Sequence, residues 1–123
     1  MIKGIGIDSV QISRIAVWLE KPSLLKRFFH PQEHQEAMSR GPGALRSLAA
    51  RFAAKEAFGK ALGRGLYDLH LKEICVENDK MGKPFLKVEG ETKEVFERQG
   101  GGKLHLSITH EGDIALAFVV WEV

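Results

Sequence analysis

Asp8 interrupts an apolar, glycine-rich stretch, GIGIDSV at residues 4 to 10, and Glu56 interrupts the longest periodic segment of the chain. On a wheel of about 100° per residue, Leu45, Leu48, Ala49 and Phe52 cluster on one side of that segment. Glu56 falls in their middle, and Lys60 lies one turn further on, toward the edge. Glutamate is rarely buried unless it is paired or coordinated. Two chemistries fit: an ordinary i,i+4 pair of Glu56 with Lys60, or a helix face that runs from core into a site where Glu56 binds a cation and Lys60 meets an anion. Asp8 also has two readings. Asp8-Ser9-Val10-Gln11 matches a capping box with Asp8 at the N-cap of a first helix. Alternatively, Asp8 and Glu56 together hold a hard divalent ion such as Mg²⁺, which accepts one or two carboxylates beside substrate phosphates and water.

Other polar groups beside apolar runs suit an anion site. Lys83 lies in GKP, a tight turn, with Pro84 after it, and Arg51 and Lys55 flank the Glu56 face. His105, Ser107 and Thr109 alternate and so share one face of a strand, whereas His110 points the other way or lies in the turn. Each histidine is equally open to a structural role. No Ser–His–Asp order, Cys–His arrangement, phosphate-binding loop or zinc spacing occurs.

The elements that must position these groups make a helix-rich first half and a strand-rich second half. IKGIGIDSV reads as a buried strand, and VQISRIAVWLEK has helical spacing, with Ile12, Ile15, Val17 and Leu19 among polar residues. SLLKRFF is a short helical segment, and Pro31 suits the first turn of a helix over HPQEHQEAM. SRGPG at residues 39 to 43 breaks the chain. ALRSLAARFAAKEAFGKALG is the long helix, stopped by Gly63 or Gly65. LHLKEICVEN and PFLKVE are strand-like runs around a DKMGK turn, ETKEVFERQG is a helix, and KLHLSITH and DIALAFVVWE are strands joined near Glu111 and Gly112. The expectation is an α+β fold: one compact domain over residues 1 to 123, with a mainly antiparallel sheet packed against a long helix.

Composition limits the function classes. With 123 residues, 44% apolar and 28% charged, the chain is long enough to bury a core and too apolar to be disordered. Its one cysteine, Cys75, excludes an internal disulfide framework, and no run approaches the length of a membrane helix. The N-terminus lacks the features of a signal peptide, so the expected location is the cytoplasm. Residues 1 to 60 carry ten Lys or Arg against five Asp or Glu, whereas residues 61 to 123 carry eight against eleven. A basic half suits an acidic protein, a phosphorylated small molecule or a nucleic acid, or is ordinary solvated charge. Aromatic residues do not interleave with the basic ones, which argues against nucleic acid.

GIGIDSVQISRI at 4 to 15 and RFAAKEAFGKALG at 51 to 63 resemble two motifs of the small bacterial holo-[acyl-carrier-protein] synthases of the 4'-phosphopantetheinyl transferase superfamily. RFF with Pro31 and Glu33, MGKPFL at 81 to 86, and LHLSITH before an apolar strand extend the resemblance over essentially the whole chain. It implies that Asp8 and Glu56 bind Mg²⁺ and that Lys60 contacts the phosphates of coenzyme A. Arg51, Lys83, Pro84, Ser107, Thr109, and His105 or His110 are implied to line the nucleotide part of the site. Arg14, and less directly Lys21, Lys26 and Arg27, are implied to meet the acidic recognition helix of acyl carrier protein. The implied reaction moves the phosphopantetheine arm from coenzyme A to a serine of apo-acyl carrier protein, releasing adenosine 3',5'-bisphosphate. Glu56 is the expected base, directly or through a metal-bound water, with His110 the alternative. The resemblance also implies homotrimers with active sites at subunit interfaces. Ser9, Glu111 and Arg64 depart from commoner family residues without touching a metal ligand or Lys60. A noncatalytic module for an acidic protein, and a different Mg²⁺-dependent phosphoryl- or nucleotidyl-transfer enzyme, are the competing readings.

Overall fold

The computed structural model describes residues 1–65 and 68–123. The chain opens with strand β1 (Ile2–Gln11) and runs through helices α1 (Ile12–Trp18), α2 (Pro22–Phe28), α3 (Pro31–Met38) and α4 (Ala44–Ala61). Strands β2 (Ile74–Asn78) and β3 (Pro84–Val88), helix α5 (Gly90–Arg98), and strands β4 (Lys103–Glu111) and β5 (Ile114–Glu122) complete it. β1, β5 and β4 form an antiparallel sheet in that order, and β2 and β3 form a separate antiparallel hairpin. This is the expected α+β architecture, with its strands divided between two sheets.

The sheet is amphipathic by alternation. Gly6, Val10, Leu106, Ala115, Ala117 and Val119 are buried on the face toward α4, whereas Ile5, Ile7 and Phe118 are exposed on the other. β1 lies against α4 without side chains between the two backbones. A Cβ at Gly4 would overlap the carbonyl oxygen of Ala61, and one at Gly6 would overlap that of Ala57. The alternating glycines of GIGID therefore set a contact distance, and alternation brings Asp8 next on the same face.

Helix α4 is enclosed on more than one side. Leu48, Ala49, Phe52, Ala53, Ala54, Ala57 and Phe58 are all buried, as are the charged Arg51 and Lys55. Full burial of a side chain such as Leu48 or Phe58 contributes about 1.5–3 kcal/mol. Trp18, Phe28 and Phe52 meet with centroids 4.9–5.4 Å apart, tying α1 and α2 to α4. Gly63, at φ +72°, ends the helix as expected.

Two local expectations are corrected. Asp8 does not cap the first helix: β1 continues to Gln11, and Asp8 lies within it opposite Ala117. The cap comes from the β4–β5 turn, where Asp113 accepts hydrogen bonds from the Ser13 N–H at 3.0 Å and hydroxyl at 2.6 Å. The strand expected from Leu69 begins only at Ile74, because residues 71–73 form a 3₁₀ turn around the Lys55 ammonium. Cys75, at the start of β2, is buried, and burial with nearby carboxylates pushes its thiol up to about 11. Among the described residues no helix is long and apolar enough to cross a membrane.

Candidate active site

Close packing of β1 on α4 places Asp8, Glu56 and Lys60 together. The Lys60 ammonium donates to Asp8 Oδ1 at 3.0 Å and to the Ile7 carbonyl at 3.1 Å. The Asp8 side chain is 10% exposed and its other oxygen, Oδ2, is buried without a partner. Burial raises the Glu56 carboxyl to about 7, aided by the adjoining Asp8 carboxylate. The positive charges of Lys60 and Arg14 act in the opposite direction without cancelling this. Two adjoining carboxylates, one proton-retaining and one with an orphaned oxygen, are a donor set for a hard cation. Among the described residues no group of three or more His, Cys, Asp or Glu gathers at one point. The pair suits Mg²⁺, which completes its shell with water and phosphate rather than protein.

From Lys60 an open groove of about 490 Å³ runs past Gly4, Ala61 and Gly63 to Lys3, Gln99 and Trp121. A second cavity, also about 490 Å³, lies beyond the opposite edge of the sheet, beside β4. Its basic wall is Arg40, Arg46 and Arg51 from α4 and the turn before it, with His110 from β4. Asn78 and Pro84, from the β2–β3 hairpin, close another side. Several guanidinium groups converging on one concavity suit a polyanion, especially phosphate. Arg51 is buried, donates to Ser47 Oγ at 3.2 Å and to the Val76 carbonyl at 3.0 Å, and lies 3.4 Å from Glu36.

The expected site residues thus fall in several places. Asp8, Glu56 and Lys60 meet at the β1 edge, and Arg51, Pro84 and His110 meet at the β4 edge. His105, Ser107 and Thr109 share a face, but it is the exposed outer face of the sheet. His105 there bonds Glu122 at 2.8 Å, which holds that carboxyl low. Lys83 is exposed in the hairpin turn and does not line the cavity that Pro84 reaches. Arg14, Lys21, Lys26 and Arg27 are exposed along α1 and α2, with Arg14 stacked 5.9 Å from the Trp18 ring centre. Sequence reasoning missed Arg40, Arg46 and Asn78 as cavity residues. The basic excess of the first half and the SRGPG break before α4 were the available signals.

The family model of the 4'-phosphopantetheinyl transferase superfamily matches residues 4–119. A holo-[acyl-carrier-protein] synthase of Treponema denticola is 51% identical over 122 residues, covering 99% of each chain. The crystal structure of the holo-[acyl-carrier-protein] synthase from Neisseria meningitidis superposes with a TM-score of 0.90 at 36% identity, over 100% of both chains. That of Bacillus anthracis, in complex with CoA (3',5'-ADP), gives a TM-score of 0.81 at 36% identity, over 98% of this chain and 96% of that one.

Proposed function

Because the chain belongs to the 4'-phosphopantetheinyl transferase superfamily, we propose that it transfers the phosphopantetheine arm of coenzyme A to a serine of apo-acyl carrier protein, releasing adenosine 3',5'-bisphosphate. The observation that carries this reading is the Asp8–Glu56–Lys60 cluster, with its buried unpartnered carboxylate oxygen. Asp8 and Glu56 would hold Mg²⁺, which when bound neutralises pyrophosphate charge and acts as a Lewis acid on its oxygens. Lys60 adds a mobile positive charge beside the same phosphates and stabilises charge developing in the transition state. Glu56 is the base in this reading, taking the proton of the attacking serine directly or through one water. His110, which lines the cavity at the β4 edge, is the alternative base. The arginine-lined cavity accommodates the bisphosphorylated end of coenzyme A, and the groove beyond Lys60 has room for the arm. Arg14, Lys21, Lys26 and Arg27 form the exposed basic face that meets the acidic carrier.

One coenzyme A must engage both groups of residues, yet within one chain β5 lies between them. A cyclic assembly that brings the β1 edge of one protomer to the β4 edge of the next resolves this. The outer sheet face supplies apolar surface for it, with Ile5, Ile7 and Phe118 exposed by 61%, 54% and 38%. The reading is a homotrimer with active sites between subunits, working in the cytoplasm, with residues 1–123 as one transferase domain.

The deciding experiment is intact-mass spectrometry of apo-acyl carrier protein after incubation with this protein, coenzyme A and Mg²⁺. A gain of about 340 Da, the mass of the added arm, is expected, and its absence with E56A or excess EDTA. Carrier that binds without gaining mass would replace the transferase reading with that of a binding module.

A further inference from the structure

Glu33 and Lys55 are 4% and 0% exposed, and neither belongs to the site described above. All three donors of the Lys55 ammonium are used: on Glu33 Oε1 at 2.6 Å, on the Leu71 carbonyl at 2.9 Å, and on the Ile74 carbonyl. Glu33 Oε2 accepts the Val76 N–H at 3.0 Å, and the Val76 carbonyl accepts from Arg51 Nη1, also at 3.0 Å. The side of β2 that faces away from β3 is therefore bonded by side chains of α3 and α4, which stand where a third strand would. Such a buried ion pair is a poor source of stability, since apolar residues of similar volume do as well or better. Fixed geometry is what it supplies in their place.

That geometry leads directly to the arginine-lined cavity. Arg51 is a wall of it, and Val76 lies two residues before Asn78, which pairs with Pro84. Asn78 and Pro84 are the hairpin's contribution to the same cavity. We infer that Glu33 and Lys55 are positioning residues for substrate binding: they clamp the β2–β3 hairpin and Arg51 in the arrangement that receives the bisphosphorylated end of coenzyme A. The inference rests on the reading of that cavity given above. It deepens that reading by assigning the cavity's shape to two residues that do not line it. Because the clamp does not touch Asp8 or Lys60, its effect falls on binding rather than on the chemical step.

Glu33→Gln keeps the side chain's shape and removes its charge. The full-length wild type, Glu33→Gln and Arg46→Ala are compared by calorimetry with adenosine 3',5'-bisphosphate, by steady-state kinetics, and by hydrogen exchange at the Val76 amide. Glu33→Gln is expected to raise the Kd of the bisphosphate and the KM for coenzyme A about tenfold, the usual scale for a lost supporting contact. Its kcat stays within about twofold, and exchange at Val76 accelerates. A lowered Tm with unchanged Kd shows a merely structural role and overturns the inference. Weakened binding with unchanged Val76 exchange overturns the hairpin route, because Glu33, 3.7 Å from Arg51, then acts on that side chain alone. If Arg46→Ala leaves bisphosphate affinity unchanged, the cavity reading fails and takes the inference with it. That failure is recognisable because Glu33→Gln still accelerates Val76 exchange. Should Glu33→Gln not fold, the paired change E33M/K55M removes both charges together, and wild-type affinity in it refutes the clamp.

Discussion

Gly6→Ala tests whether backbone contact between β1 and α4 places the Asp8 carboxylate. The new Cβ would overlap the Ala57 carbonyl oxygen and lie 2.8 Å from Ala61 N and 2.9 Å from Ala57 C. All three obstacles are helix backbone, so no rotamer change relieves them. The strand must retreat by on the order of 1 Å to restore van der Waals distance. Overpacking of this kind destabilises by roughly 1–3 kcal/mol, and rigid obstacles place Gly6→Ala at about 3. Asp8 is two residues away on the same face and moves with the strand, away from Glu56 and Lys60. A misplacement of about 1 Å at a reacting centre lowers the rate about 100-fold. Urea denaturation gives the first quantity, and carrier modification under conditions where the variant is folded gives the second. Gly59→Ala, within α4, is the control. There a gain in helix propensity of about 1 kcal/mol is set against a tight 3.1 Å approach to the Arg64 carbonyl, so stability stays within about 1 kcal/mol of wild type. A Gly6→Ala protein with near-wild-type stability and rate would refute close packing as the cause of Asp8's position.

Other outcomes follow from the same geometry. Glu56 keeps its proton up to about pH 7 in the folded protein but releases it near 4.5 when unfolded. Metal-free stability therefore falls as pH rises from 4.5 to 7, by about 1–2 kcal/mol after allowance for solvent screening at a half-buried site. Glu56→Gln should flatten that slope in urea curves measured across this range. Asp8→Asn should weaken Mg²⁺ binding at least about tenfold by calorimetry, because it removes one of only two protein carboxylates. Arg14→Glu should raise KM for the carrier with kcat little changed, and its effect should shrink at high salt in kinetic titrations. Ile7→Glu, on the outer sheet face, should reduce the assembly to monomers in sedimentation and lower activity in parallel.

The order and type of the elements were legible because their signals are periodic and local. Asp8 and Glu56 each stood out as a charge on an apolar stretch, but only the family resemblance joined them with Lys60. What was hidden depends on partners distant in sequence. Glu33 and Lys55 form their ion pair across 22 residues, and Asp113 caps a helix 100 residues before it. Lys55, flanking the Glu56 face, reads as part of an anion site, but α4 is packed between the sheet on one side and α3 with the hairpin on another, where Lys55 meets Glu33. A wheel with a single apolar stripe gives a lysine at the stripe's flank no partner that would bury it. Likewise, alternation showed that His105, Ser107 and Thr109 share a face without showing which face. The open outer side of the sheet follows only from its packing against α4.

Cys75 has a consequence if the substrate is coenzyme A, as proposed, because that molecule ends in a free sulfhydryl. Such a substrate readily forms mixed disulfides with protein sulfurs that are ionised and accessible. Here the single cysteine is buried at the start of β2, and with its thiol pushed up to about 11 it carries little thiolate at neutral pH. A chain acting as proposed would therefore handle a thiol cargo, even under mild oxidation, without becoming covalently trapped by it.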